Sequence, residues 1–599
     1  MPTSTLPRLL LAALLPVSAP LALGQAGLAE LRGTIRDPAG LPVAMAKVTA
    51  TEQATNARFA VLTGERGHYH VLGLPPGRYA LSVERPGFRT YRHEGITLRI
   101  ADQAALDVKL ELGPQAQSVT VAAEAPLLQT AGGQASYSVE RAKLAAMPLD
   151  GRNFVPLIAL APGVALPGGG SLLPRINGSR PRTNEYIYDG ISVLQPEPGQ
   201  VAFYPLLDAI EEFRLNLNSY SPEYGRSNGG AVIVSTKSGG NQLHGTVFEF
   251  LRNEDLNARN YFAPAGARPE FRRNQYGFTL GGPVRKDRMF FFADWQGTRL
   301  RTGITRFSTV PNAAQRQGAF AAAVIDPANG LPFPDNAIPE RRFDPVALQV
   351  LRHYPAPNRP GAANNYARTA AEPDSQDQFD LRLDRYYRTR HRVFGRYSFL
   401  RDDDDPVTPL PDGSGTLTSG VTGHAITRGD GLVAEYDWSA SPAAFNTARF
   451  GYTRRRLDQA SLLNGDIAVP GIPPNSFTAA LPAFTVAGYQ QVGPTPGAND
   501  HFKTSVTEYL DTFSWARGSH TSKLGVDLRR EALDVLNPPN PSGAYAFTSA
   551  GTGNPVASLL LGQVNAFTID IQSQALQERA HIAEFFAGDE WKVSQRLAV

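Results

Sequence analysis

There is no cysteine among the 599 residues. This excludes a disulfide framework, a thiolate metal site and a Cys nucleophile, and it suits a chain that is exported. Long apolar runs are scarce as well. The one at Leu9–Leu15 falls well short of the roughly 18 residues that a spanning helix needs, and Pro16 and Pro20 prevent its extension toward the C-terminus. With Arg8 ahead of this run and the small residues Ala22 and Gly24 behind it, residues 1–24 read as a secretory signal, and the mature chain is expected to start near Gln25. A strong charge of one sign is also missing. A formal +3 without a dense Lys/Arg tract argues against nucleic acid as a partner. If such a chain spans a membrane it has to do so as a barrel, because helices and closed barrels are the only spanning structures that satisfy the backbone.

What the chain has in quantity is turn chemistry. Its 56 Gly and 48 Pro argue against an all-helical fold. From Leu31 to Leu112 short strand patterns alternate with turns, and Tyr79, Leu81 and Val83 share one side, as in a half-buried antiparallel strand; this predicts a small β-sandwich over 28–112. Gly113–Gln117 reads as a linker and Ser118–Ala123 as a short β-prone segment. Between Tyr220 and Phe250 a glycine-rich turn passes into Ala231–Ser235 (AVIVS), a continuous apolar run expected of a strand buried on both faces. Ser238–Asn241 breaks it, and then Thr246, Phe248 and Phe250 alternate with Gly245, Val247 and Glu249. Beyond Asn241 alternation is the main signal. Phe379, Leu381 and Leu383 share one face and Asp380, Arg382 and Asp384 the other, with similar patterns at Tyr276–Leu280, Leu432–Trp438, Ala448–Tyr452 and Leu524–Leu528. Such apolar-out, polar-in strands mark a transmembrane barrel, although a soluble sandwich or propeller alternates too.

A resemblance favours the barrel. Gly33, Asp37, Gly40, Pro42 and Val43, with Gly67, Tyr69, Leu74–Gly77, Tyr79, Gly87 and Phe88, resemble the carboxypeptidase-regulatory-like domain. Three phrases in order, MPLDGRNFVPLIALAPGV, RINGSRPRTNEYIYDGISV and AIEEFRLNLNSYSPEYGRSNGGAVIVSTKSGG, resemble the plug of the Oar-like TonB-dependent outer-membrane receptors, and NQYGFTLGGPVRKDRMFFFADWQGTR at Asn274–Arg299 resembles the start of their barrel. The resemblance implies an all-β-dominated chain: signal peptide 1–24, sandwich 28–112, linker 113–123, α+β plug 124–240, and an antiparallel barrel over 241–599 with an outward loop at 298–374. It implies a periplasmic sandwich, a plug in the lumen and a partner in the TonB–ExbB–ExbD complex. The function implied is import of a scarce siderophore, oligosaccharide or peptide with energy from that complex; the alternatives are an outer-membrane-anchored adhesion or interaction protein, and a secreted carbohydrate-active or peptidase protein. Roughly a dozen strand patterns follow Asn241, about half of the 22 such barrels contain, and the last residues lack the usual terminal aromatic, so a partial barrel is expected.

The sites follow from the same resemblance. Ser118, Val119, Thr120 and Val121 sit where the family carries its TonB box, which works by adding a strand to a partner's sheet edge; one more strand of the sandwich is the other reading. Arg175, Asn177 and Arg180 are ligand-facing plug candidates, or simply polar groups in a wet lumen. No catalytic residue, metal site or cofactor is expected. Gly225–Gly229 matches GxSxG but precedes a strand rather than a helix, and His581–Glu584 has HxxE spacing without a third ligand. Asp402–Asp405 suits a solvated loop better than a calcium site, and Asn177–Ser179 fits a glycosylation pattern that an outer-membrane protein has no use for.

Overall fold

The computed structural model describes residues 27–115, 117–122, 135–166, 174–180, 182–197, 200–218, 221–258, 268–417, 422–463, 481–495, 497–570, 574–591 and 593. The expected signal at 1–24 lies outside them. Strands dominate, and among the described residues no helix is long and apolar enough to cross a membrane.

The sandwich holds β1 (Ala29–Arg36), β2 (Lys47–Glu52), β3 (Arg58–Leu62), β4 (His68–Leu74), β5 (Gly77–Glu84), β6 (Thr90–Leu98), β7 (Gln103–Ala105), β8 (Val108–Lys109) and β9 (Ser118–Ala122). One sheet has the order β4-β1-β7, with β8 also on β1, and the other β3-β2-β5-β6-β9. Period-two alternation sends Leu31, Ile35, Val48, Ala50, Tyr79, Leu81 and Val83 into the core between them. The Tyr79 hydroxyl meets the Pro75 carbonyl at 2.6 Å, which satisfies its one polar atom.

The next layer holds β10 (Ala135–Glu140), α1 (Arg141–Ala146), α2 (Val155–Ile158), β11 (Val164–Ala165), β12 (Arg175–Ile176), β13 (Glu185–Tyr188), β14 (Ile191–Ser192), β15 (Ile210–Asn218) and β16 (Ala231–Thr236). Its main sheet runs β10-β15-β16-β13-β14. The AVIVS run forms β16, a central strand parallel to β13 and antiparallel to β15, with Ala231–Val234 buried as expected. Phe154, Val155, Ile158, Tyr188 and Phe213 pack with Val232 and Val234 in its core.

Ten long strands come next, each hydrogen-bonded antiparallel to its successor: β17 (His244–Asn253), β18 (Phe271–Arg285), β19 (Met289–Ser308), then, beyond α3 (Ala313–Arg316) and α4 (Pro345–His353), β20 (Tyr366–Tyr387), β21 (His391–Asp404), β22 (His424–Ser441) and β23 (Ala444–Ala460). After a short β24 (Ala483–Val486) come β25 (His501–Arg517) and β26 (His520–Leu536); β27 (Ala544–Phe547), α5 (Pro555–Leu560) and β28 (Ala566–Thr568) precede the last, β29 (Leu576–Trp591). The ten are fewer than the dozen patterns counted along the sequence, and β17 and β29 form the two edges of the sheet. The alternation holds: Leu381 and Leu383 are about 40% exposed, whereas Asp380, Arg382 and Asp384 are buried on the inner face. Phe248 and Phe250 point inward, where the Arg152 guanidinium stacks on both rings.

Connections alternate in length. β18–β19, β20–β21, β22–β23 and β25–β26 join by tight turns, and the others by long excursions. Short turns mark the periplasmic end and long loops the outside, and β17 enters from the short-turn end because His244 pairs with Gly281. The expected loop 298–374 is shorter: the ladder between β19 and β20 runs unbroken to Ser308 and Tyr366, leaving 309–365 as the connection. Asp402 and Asp404 likewise belong to β21 rather than to a loop, opposite Gln376 and Asp374. The outer excursions are not slack. Val310, Phe333, Val350, Leu351 and Tyr354 from one, Phe484 and Val492 from another and Val556, Leu559 and Leu560 from a third close into a single hydrophobic core.

Candidate functional site

The site grows from a two-residue turn. β13 and β14 pair as a hairpin with Tyr188 opposite Ile191, which leaves Asp189-Gly190 as its loop. Both residues have positive φ, +47° and +84°, the geometry a type I′ turn demands and the reason Asp-Gly serves it. The turn drives the Asp189 carboxylate into the barrel wall. Its Oδ2 accepts from Arg396 Nη1 at 2.6 Å and from Thr236 Oγ1 at 2.6 Å; its Oδ1 accepts from the Thr236 amide at 2.9 Å and from Arg382 Nη1 at 3.3 Å. Gly190 lies so close to Arg449 that a Cβ would sit 2.6 Å from the guanidinium carbon.

From this tip a run of buried charge crosses the inner face of β20, β21, β22 and β23. Arg382 bonds Asp384, Arg392 bridges Asp384, Glu435 and Asp437, and Arg449 meets Glu435. The strand after the tip is sewn to the wall as well: the Ser192 amide donates to Glu508 at 3.0 Å, Gln195 to Thr453 at 2.9 Å, and Arg455 to Glu197 at 2.5 Å. Beneath the tip, toward the short-turn end, lies a cavity of about 770 Å³ bounded by all three layers: Glu52 and Arg78 of the sandwich, Asp189 of the hairpin, and Arg382, Arg392 and Arg449 of the wall.

Residues 235–599 match the model of a family described as "Outer membrane beta barrel domain". The chain belongs to the outer-membrane β-barrel family. Residues 30–111 match a second family, "Carboxypeptidase regulatory-like domain", so the outer-membrane barrel carries that sandwich at its N-terminal end. A curated relative, the TonB-dependent transporter Oar of Myxococcus xanthus, is 31% identical over an aligned length of 318, and the match covers 48% of this chain and 29% of the transporter. The chain thus spans less than a third of that relative. Among solved structures the outer-membrane transporter YddB of Escherichia coli is similar at 13% identity and a TM-score of 0.47, covering 76% of this chain and 54% of that one. The siderophore receptor PirA of Acinetobacter baumannii is similar at 13% identity and 0.42, covering 77% and 54%.

The sandwich of this outer-membrane barrel is docked at the periplasmic rim. Lys523 of β26 pairs with Glu30 at 2.9 Å, His70 reaches the same carboxylate at 2.9 Å, and Arg32 meets Glu590 at 2.6 Å. Burial by itself would raise the Glu30 carboxyl, but the Lys523 and His70 charges hold it far below the carboxylate range. Asp189 shows the same contest: burial raises it, and Arg396, Arg382 and the Thr236 hydrogen bonds pull it below its ordinary value. Glu212 of β15 goes the other way. Burial pushes it to about 8, Asp102 and Glu211 add to the push, and only the Ile100 amide of the sandwich and Arg99 oppose it.

The sites expected from sequence fall in different places. Ser118, Val119, Thr120 and Val121 form β9, which lies parallel to β6 with Val119 opposite Tyr91, as the last strand of its sheet. Main-chain pairing occupies one edge of β9 and leaves the other without a strand partner among the described residues. Arg175 and Arg180 are exposed, the first in β12 opposite Ala165 and the second in the segment after it. Asn177 is not beside them chemically: its φ is +50° and its side-chain amide donates to the Leu217 carbonyl at 2.8 Å, a fastening within the layer of β10 to β16. His581 and Glu584 fall on opposite faces of β29, as a spacing of three on a strand requires, and cannot share a metal. The hairpin clamp was not anticipated. Asp-Gly between Ile187-Tyr188 and Ile191-Ser192 is a hairpin signal, but nothing in one sequence ties it to Arg382, 193 positions away.

Proposed function

We propose that this outer-membrane barrel is part of an energised importer, in which the layer spanning 124–240 acts as a plug and Ser118–Val121 as the grip for TonB. The observation that supports it is the Asp189-Gly190 hairpin, a small turn clamped by two buried arginines directly above a charge-lined cavity. A plug held by apolar packing alone would have no single release point, whereas one held by a charge-assisted clamp lets go when its strands are displaced by a few ångströms. The TonB partner adds a strand to the open edge of β9, or replaces β6 on its other edge, and tension passes through the linker into β10. Withdrawal of the hairpin joins the cavity to the outside. The cargo is a siderophore, oligosaccharide or peptide, chosen by the outer loops and by exposed groups such as Arg175 and Arg180. The common core of the outer loops favours a second reading, in which the barrel anchors a surface-binding cap and no energy is coupled.

Binding of a purified periplasmic TonB domain to the chain in detergent separates the two. The native segment should bind, and Val119→Pro/Val121→Pro, which removes two strand donors, should not. Because proline also weakens pairing to β6, loss of binding cannot come from hiding the segment more deeply. A native chain that fails to bind sinks the importer reading and leaves the anchor.

A further inference from the structure

The outward face of the barrel carries a second pattern. On β22, Leu432, Tyr436 and Trp438 face outward, as do Tyr509 and Trp515 on β25, each tens of per cent exposed. Continuing each strand in the same parity toward the outer loops reaches Arg428 and Lys503, and on β21 and β23 the same step reaches Arg401 and Arg456. These four are in register. Arg401 stands opposite Arg428, Arg428 opposite Arg456, and Arg456 opposite Lys503, a row of cations on four adjacent strands.

Two magnitudes place and characterise the row. From Trp438 to Arg428 about ten residues rise about 3.3 Å each along strands inclined by about 40°, which lifts the row about 25 Å above the Trp438 level, the height of an outer-membrane apolar band. The cations therefore meet the headgroups of the outer leaflet. Strands lie about 4.8 Å apart, so the four charges occupy about 15 Å, and like charges directly opposite one another destabilise a sheet. Acidic neighbours offset only part of this: Arg401 pairs with Asp403 at 2.8 Å and Arg456 with Asp458 at 2.6 Å, while among the described residues Arg428 and Lys503 have no ion pair. Beside the row, Arg454, Lys503, Arg530 and Arg579 line a hollow of about 280 Å³.

We propose that the row Arg401–Arg428–Arg456–Lys503 is a docking strip for phosphate groups on outer-leaflet lipid headgroups. A phosphate oxygen accepts from two neighbouring guanidinium groups and relieves their repulsion, which water does less well; the next outward level holds the Arg454–Asp430 pair at 3.1 Å, and the apolar residues below that pair take the acyl chains. Arg suits this work better than Lys because its fork matches phosphate, and three of the four are Arg.

The test uses the full chain in neutral detergent with lipid A, a glycolipid bearing phosphates, as the probe, and counts retained lipid by native mass spectrometry. Arg428→Gln/Arg456→Gln/Lys503→Gln should lower its affinity by about fivefold per charge, roughly a hundredfold together, with the native interaction weakening as salt rises. Lys47→Gln/Arg58→Gln/Arg66→Gln, which removes three charges from the sandwich surface, should change it less than threefold. The row variant gives up the exposed Arg456–Asp458 pair but also relieves the repulsion along the row, and should keep the native strand content. Equal retention by the row variant overturns the proposal. So does displacement of lipid A by millimolar inorganic phosphate, which would make the row a site for free anions.

Discussion

Replacing Asp189 by Asn tests the clamp with the least change in shape. The native carboxylate accepts four hydrogen bonds, two of them from Thr236 and two from the guanidinium groups of Arg382 and Arg396. An Asn oxygen can keep one pair of these, but its NH2 group must then face donors. Arg382 retains Asp384 at 2.8 Å; Arg396, whose side chain is 2% exposed, has its ion pair with Asp189 and with no other acid among the described residues. Breaking a buried charge pair costs about 3–5 kcal/mol, and because Asp380 and Asp294 still act on Arg396 the lower end applies, about 3–4 kcal/mol, so local opening of the hairpin should become more frequent by a factor of about 10² to 10³. Native-state hydrogen exchange reads this directly: amides in β13, β14 and β16 should lose two to three orders of magnitude of protection, while those in β18 to β23 keep theirs. Arg89→Ala breaks a half-exposed pair with Glu111 on the sandwich and should change protection in these strands by less than about 1 kcal/mol. If Asp189→Asn leaves β13 and β16 within threefold of the native rates, the clamp does not hold the plug and the release mechanism fails with it.

Glu212, raised by burial, makes the contact between the sandwich and the β10–β16 layer pH-dependent. Its carboxyl is raised from 4.5 to about 8, so the folded state holds a proton that the unfolded chain has lost, and stability falls as pH rises between those values. Glu212→Gln should flatten that slope in urea midpoints taken from pH 5 to 9; an unchanged slope would remove Glu212 as its source. Gly190→Ala meets both a positive φ and the Arg449 guanidinium, and should cost at least about 1–2 kcal/mol, seen as faster exchange at Tyr188 and Ile191. Leu560→Ala empties a fully buried position of the outer core and should cost about 2–5 kcal/mol there, read as faster proteolysis within 309–365 with exchange in β13 unaffected. Cleavage at native rates would mean that the outer loops do not depend on one another.

Legibility in the sequence followed physics rather than position. Phe379–Asp384 was readable because each residue sits on a face wholly unlike its neighbour's, and β16 because both of its faces are buried. The upper half of β20 was not. Ala367–Pro373 stands above the apolar band, its residues are small, polar or charged on either face, and only its ladder to β19 makes it a strand. The same holds for Asp402 and Asp404. Ser118–Ala122 left two readings open, since a β-prone segment does not name its partner; pairing with β6 is a tertiary fact. The clamp and the cation row share a further reason. Each is made by cross-strand register between distant segments, and register is invisible in a single chain until every turn and bulge has been counted.

The shared core of the outer excursions has a kinetic consequence. Independent surface loops fluctuate over nanoseconds to microseconds, and each leaves its own gap at its own time. Segments 310–354, 481–492 and 547–560 are bound into one apolar nucleus, so they shift as a unit or not at all, on the microsecond-to-millisecond scale of collective motion. Motion of these segments is then a discrete event with a rate constant rather than the sum of three independent fluctuations.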